Sequence, residues 1–249
     1  GKTSVNYNSD VQTFPLLKAI FEKIYGKSPY QSPTDMGVNM VGFAIKDEEA
    51  ACQASKEEII RRYYQAKKFN YLGKFKDSAV DLEEMLMNQL HLSVNDRKCV
   101  AACMKKTEAS GVPCMALDLG GKKIVTGKRS RLFGSAAAVL LNALKVLAKI
   151  DDSIPLISPN VIEPIQKLKV ESLNNHNPRL HAEEVLIALA IQANTNPLAE
   201  LALAQLPKLK GCQAHSSAIL QEVDLNAFNK LGIAVTEEPV SYAHRLYAT

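Results

Sequence analysis

Near Asn95 the chain changes its hydrophobic period, and that change limits the possible folds more than any other feature. Before it, apolar residues recur every three or four positions. Phe14, Leu17, Phe21 and Ile24 do so within residues 10–25, residues 47–69 form one long charged helical run, and Ala79, Leu82, Met85, Leu86 and Leu90 repeat the spacing within residues 77–91. This spacing gathers each set on one side of a helix, and nothing here alternates as a strand does. Pro29, Pro33 and Gly37 interrupt the regularity, and Thr34-Asp35 can cap a short segment through Met36, Met40, Val41 and Phe43. Residues 1–92 therefore read as an all-helical subdomain.

Beyond Asn95, helical and extended stretches alternate. A helix over 95–110 starts from an Asn cap and stops at Gly111. Cys114–Leu119 and Lys123–Thr126 flank Gly120-Gly121, a hairpin signal. The basic loop GKRSRLFG, residues 127–134, runs into a helix over 135–149. Ile154–Ile157 reads as a short strand, and Ser158-Pro159 opens a helix to about Leu173, Pro being favoured in a first turn. Helices over 178–194 and 197–206, an extended run after Gly211, a short helix capped by Asp224 and a strand over Ile233–Glu237 complete the order. For residues 93–249 this predicts a three-layer α-β-α sandwich with a mixed sheet and a helical insertion around 174–207.

Charge and cysteine usage exclude several function classes. The 30 basic and 26 acidic residues are scattered, so no basic stripe offers a track for a nucleic-acid backbone. No apolar run is long enough for a membrane span and no signal peptide is visible, so neither a membrane nor an exported state is expected and a cytoplasmic address follows. Five cysteines, an odd count, do not resemble a disulfide framework and read as reduced, packed thiols. Gly1-Lys2-Thr3 matches only the tail of a phosphate-binding loop. The abrupt start suggests a piece of a longer protein.

The stretch NNHNPRLHAEEVLIALA, residues 174–190, carries the most chemistry. His181-Ala182-Glu183 has the spacing with which zinc deaminases present a metal ligand and a general acid/base from a helix start. Its only nearby complement is Cys212-Gln-Ala-His215, and in a strand residues i and i+3 point to opposite faces. No metal site is therefore expected, and a zinc-dependent deaminase-like hydrolase is the third-ranked function. As a helix start, the stretch offers Asn177 as N-cap, Pro178 in the first turn and Glu183 and Glu184 at the positive end of the dipole. The surplus of Asn174, Asn175, His176, Arg179 and His181 suggests ligand contact, and His181, Glu184 and His215 are weak catalytic candidates.

A second candidate precedes the helix at 135. Lys128, Arg129 and Ser130 stand before Ser-Ala-Ala-Ala, whose small side chains let a backbone or a ligand come close, so this loop can hold a phosphate or carboxylate. Nucleophilic catalysis is not signalled: there is no GxSxG, and the cysteines lie in apolar surroundings. Glu57-Glu58 with Arg61-Arg62 reads as a solvent-exposed charged face.

Several strings together resemble the bacterial domain-of-unknown-function family 1846, also called uncharacterised protein family 0371: SPTDMGVNMVGFAI at 32–45, ASKEEIIRRYYQA at 54–66, DLGGKKIVTGK at 118–128, LLNALKVLAKI at 140–150, and the run from Leu156 to Ser217. The resemblance is collinear over nearly the whole chain and implies the C-terminal half of a protein about twice as long. It implies a cytidine-deaminase-like topology, with a glycine-rich phosphate segment lying in the absent half. In a deaminase the metal ligands start the helix after the first hairpin and the helix after that. Here Arg131–Ser135 and Ser158–Val161 hold those places and supply no ligand.

The function expected from these readings is metal-independent binding of an anionic, possibly nucleotide-like, small molecule, with no cofactor. The missing N-terminal half would be a partner. The alternative is a structural module without chemistry, a homo-oligomer joined through its helical segments, with PLAELALAQL at 197–206 as the best interface.

Overall fold

A computed structural model describes residues 7–28, 48–121 and 123–241. The segment expected to be capped by Thr34-Asp35 lies outside them. The chain divides into two compact units, Gly1–Arg97 and Lys98–Thr249.

In the first unit the described elements are all helical: α1 (Tyr7–Tyr25), α2 (Glu48–Tyr71) and α3 (Asp77–Gln89). Each buries one stripe. Phe14 of α1, Ile59, Ile60 and Tyr64 of α2, and Leu86 and Met87 of α3 are buried, as 3.6-residue periodicity requires. Pro15 falls in the middle of α1, which begins three residues before the run of residues 10–25 read from the sequence. The face around Glu58 is only half exposed. Its carboxylate takes both Arg61 nitrogens at 2.6 Å and Arg62 Nε at 3.2 Å. Burial alone would raise its pKa, but these two guanidiniums bring it below the ordinary value.

The second unit is mixed α/β. Ser93 and Asp96 close a capping box on a short 3₁₀ turn in the last residues of the first unit, and the second unit opens with α4 (Lys98–Ser110), ending at Gly111 in the left-handed region. Strands β1 (Cys114–Asp118) and β2 (Ile124–Lys128) form the expected hairpin. Gly120 and Gly121 have φ of 78° and 56°, the positive values a primed turn needs. Next come α5 (Ser135–Ala148), α6 (Pro159–Lys167, prolonged by a π-helical turn to Ser172), α7 (Ala182–Ala193), α8 (Pro197–Leu203), β3 (Gln213–Ser216), α9 (Glu222–Lys230) and β4 (Ala234–Glu237).

The strands form one open sheet in the order β2-β1-β3-β4. β1 runs antiparallel to both neighbours, and β3 runs parallel to β4. Met115, Leu117 and Ala214 face a large core shared with α5, α7, α8 and α9. Cys114 and Ala116 face the other way, against Cys99 and Cys103 of α4. The sheet thus has α4 on one face and the remaining helices on the other.

Four sequence expectations are corrected. Asn95 does not cap the helix that ends at Gly111: it lies inside the 3₁₀ turn capped by Ser93, and α4 starts at Lys98. Ile154–Ile157 is not a strand: β3 occupies the edge of β1, and Leu156 and Ile157 plug the core from a loop. The helix expected from Pro178 starts four residues later, with His181 rather than Asn177 at its N-cap. Asp224 does not cap its own helix; Gln221 holds that place, and the Asp224 carboxylate reaches α7 instead.

Candidate functional site

Gly127 explains how α5 meets the sheet. A Cβ there would lie 2.1 Å from the backbone nitrogen of Val139, so the helix backbone rests directly on β2. Asn142 Nδ2 donates to the Thr126 carbonyl at 2.9 Å and ties the same contact. The small residues after Gly134 therefore serve close helix–strand packing, with Ser135, Ala136 and Ala137 all buried.

The two candidate stretches, some fifty residues apart in sequence, run side by side. Phe133 and Leu180 form a parallel bridge, Leu180 N donates to Leu132 O at 2.9 Å, and Gly134 N donates to Leu180 O at 3.1 Å. Arg179 Nε donates to the Ser130 carbonyl at 2.7 Å, and its Nη1 donates to Asn177 Oδ1 at 3.3 Å. Ser130 Oγ accepts from Leu132 N and Phe133 N, so it shapes the loop. Of the five residues expected to hold a ligand, the structure thus joins Ser130 and Arg179 directly to each other. Lys128 lies exposed at the end of β2, Arg129 donates its backbone N–H to Pro113 O, and His176 is exposed two residues before Pro178 in the chain.

At the start of α7 the exposed N–H groups are already occupied. Asp224, itself buried, accepts from Ala182 N at 2.8 Å and lies 3.2 Å from His181 Nδ1. Glu184 Oε2 accepts from His181 N at 2.8 Å and from Lys169 Nζ at 2.6 Å. Lys169 is almost wholly buried and also donates to the Arg179 carbonyl at 2.6 Å. Protein carboxylates therefore satisfy the positive end of this helix, as orphan N–H groups demand. Nothing local signals this role for Asp224 or Lys169. They lie 42 and 15 residues from their partners, and only tertiary structure joins them.

His215 is elsewhere. It pairs across the sheet with Ala116 and Thr236, on the α4 side, while Leu180 and Ala182 beside His181 belong to the core on the opposite side. It is fully buried, with Nδ1 2.8 Å from Thr236 Oγ1 and Nε2 3.4 Å from Glu238 Oε1. Cys212 belongs to the first core, and burial pushes its thiol up, with Asp118 adding to the effect. His181, Cys212 and His215 thus do not form one donor set. Among the described residues no three His, Cys, Asp or Glu side chains converge as metal ligands, and no helix is long and apolar enough to cross a membrane.

Comparison with known proteins agrees with the two-unit division. Residues 95–247 match the family model described as "Domain of unknown function DUF1846, C-terminal", and residues 1–91 match its N-terminal counterpart. The second match corrects the expectation of a chain confined to the family's C-terminal half. The UPF0371 protein of Streptococcus pyogenes serotype M5 is 53% identical over 247 residues, which are 99% of this chain and 50% of that protein. A UPF0371 protein of Streptococcus pneumoniae strain JJA is 52% identical over the same length, with the same two shares. The chain spans about half the length of these curated relatives, and it belongs to the DUF1846 (UPF0371) family.

Proposed function

We propose that the second unit binds an anionic small molecule, without a metal, beside the seam between residues 128–134 and 176–182. The observation that carries this reading is the seam itself, in which the loop leaving the cationic end of β2 is hydrogen-bonded to the segment that leads to His181. Lys128 and Arg129 supply charge to the anion. His181, its Nδ1 held by buried Asp224, supplies an oriented ring for a hydrogen bond or proton transfer, since a carboxylate on one imidazole nitrogen sets the role of the other. Arg179 and Ser130 position the two strands of the seam. Glu184 and Lys169 hold the helix start, so Glu184 is structural in this reading. The deaminase-like likeness extends to chain path alone, supported by a β1 antiparallel to both neighbours and a parallel β3–β4 pair. A melting curve tests the proposal. Phosphate raises the melting temperature of the native chain, as any ligand of the folded state does; the shift disappears in K128A/R129A. A shift that survives in that variant, or none at all, removes it.

A second reading rests on a different observation. Ile187 and Ile191 lie one turn apart on α7 and are 60% and 52% exposed, and Leu201 on α8 is 45% exposed. Outward apolar residues at this spacing favour a self-association face. Light scattering separates the two: association lost in I187E/I191E, with phosphate binding kept, supports this second role.

A further inference from the structure

The first unit contains a cleft of about 710 Å³ between the end of α1, the first turns of α2 and the end of α3. That volume lies within the range of small-molecule sites. Among the described residues its charge is one-sided: Lys18, Lys27 and Lys56 line it against Glu22 alone, a net of +2 with His91 neutral. Lys18 is weakly paired with Glu22 at 3.9 Å. Among the described residues Lys27 and Lys56 have no hydrogen-bonded or ionic partner. Unpaired like charges around one concavity repel each other, and the repulsion is relieved by an anion between them.

Two further observations come from the far wall. Gln89 Oε1 is buried and has no hydrogen-bond partner, an acceptor that would ordinarily be satisfied. His91, at φ 53° directly after the end of α3, where Leu92 N closes on Met87 O at 2.8 Å, also lines the cleft. An unsatisfied amide oxygen and two unpaired lysines on residues that line one cavity are more than the packing of three helices needs.

We infer that this cleft is a second ligand site, for a small dianion that also carries an O–H or N–H donor. Lys27 and Lys56 hold the two negative charges, Gln89 accepts from the donor and His91 closes the rim. Phosphate monoesters and hydroxylated dicarboxylates share this chemistry. The site is independent of the seam in the second unit.

Calorimetric titration of the whole chain carrying K128A/R129A, which removes any binding at the seam, with glycerol phosphate and, separately, with malate tests the inference and tells the two sources apart. At least one binds at millimolar concentration or below. Adding K27E/K56E, both at exposed positions and checked for native circular dichroism, weakens that binding about tenfold or more. Adding Q89M weakens it severalfold. Binding of neither probe in that background, or binding that persists when K27E/K56E is added, overturns the inference. Should the combined variant fail to fold, the same criteria apply to Lys56→Gln in the same background.

Discussion

Two helix starts in the second unit look alike in sequence and are held by opposite means. α5 enters at Gly134 with no side-chain cap and is fixed by steric fit, its backbone lying on Gly127. α7 enters at His181 and is fixed by charge, with Asp224 and Glu184 on its first N–H groups and buried Lys169 behind them. Both starts carry the small and polar residues that mark anion-binding helix ends. The difference teaches that such residues can be consumed by the fold. At α5 the small side chains are used in packing, and at α7 the dipole is already met by protein carboxylates. The proposed ligand site therefore lies at their flanks rather than on the helix starts themselves.

Substitutions that exchange one means for the other sharpen this contrast. Gly127→Ala should have the largest effect, since its Cβ collides with helix backbone that cannot rotate aside. We expect a loss of about 4 kcal/mol, or no folded second unit, in urea unfolding. Unfolding at the native midpoint would break the steric half of the comparison. Asp224→Ala should cost about 2 kcal/mol by orphaning Ala182 N–H and the His181 ring nitrogen. Asp224→Asn, which keeps an acceptor for Ala182, should cost about 1 kcal/mol or less. Equal losses in the two variants would mean that the carboxylate charge, rather than the hydrogen bond, is what α7 needs.

The α4 face of the sheet gives a smaller, pH-dependent effect. Burial, reinforced by neighbouring Cys114, pushes the Cys103 thiol from its ordinary 9.0 up to about 12. The folded state therefore favours the protonated form. That contribution to stability is complete below about pH 9 and is lost as pH rises towards 12. Cys103 should resist alkylation at pH 8 until the unit unfolds, as mass spectrometry after iodoacetamide would show. Rapid native labelling would contradict its burial. The smallest effect belongs to K128A/R129A, which should change stability by less than about 0.5 kcal/mol, because the Lys128 side chain is exposed and the loop is shaped by Ser130.

Local signals in the sequence were legible where they act locally. The Gly120-Gly121 turn, the Gly111 stop and Pro159 in the first turn of α6 all operate within a few residues, and the structure places each as the sequence suggested. Long-range pairing was not legible. Ile154–Ile157 has the composition of a strand, but the edge it would fill is taken by β3, whose partner Leu117 lies 97 residues before Ala214. Asn177-Pro178 spells a helix start, yet the bond that Leu180 N donates to Leu132 O and the one that Leu180 O accepts from Gly134 N hold Leu180 extended and delay the helix. The site follows the same rule. Lys128, Arg129 and His181 could be nominated by residue type, whereas the roles of Asp224 and Lys169 exist only once the chain has folded back on itself.

The central claim is that an anion binds at the seam, and amide chemical shifts read it most directly. Titrating phosphate into the ¹⁵N-labelled chain should move the resonances of residues 128–134 and His181 in a saturable way, and the movement should vanish in K128A/R129A. Silence in those residues at saturating phosphate, or movement unchanged in the variant, would contradict the account.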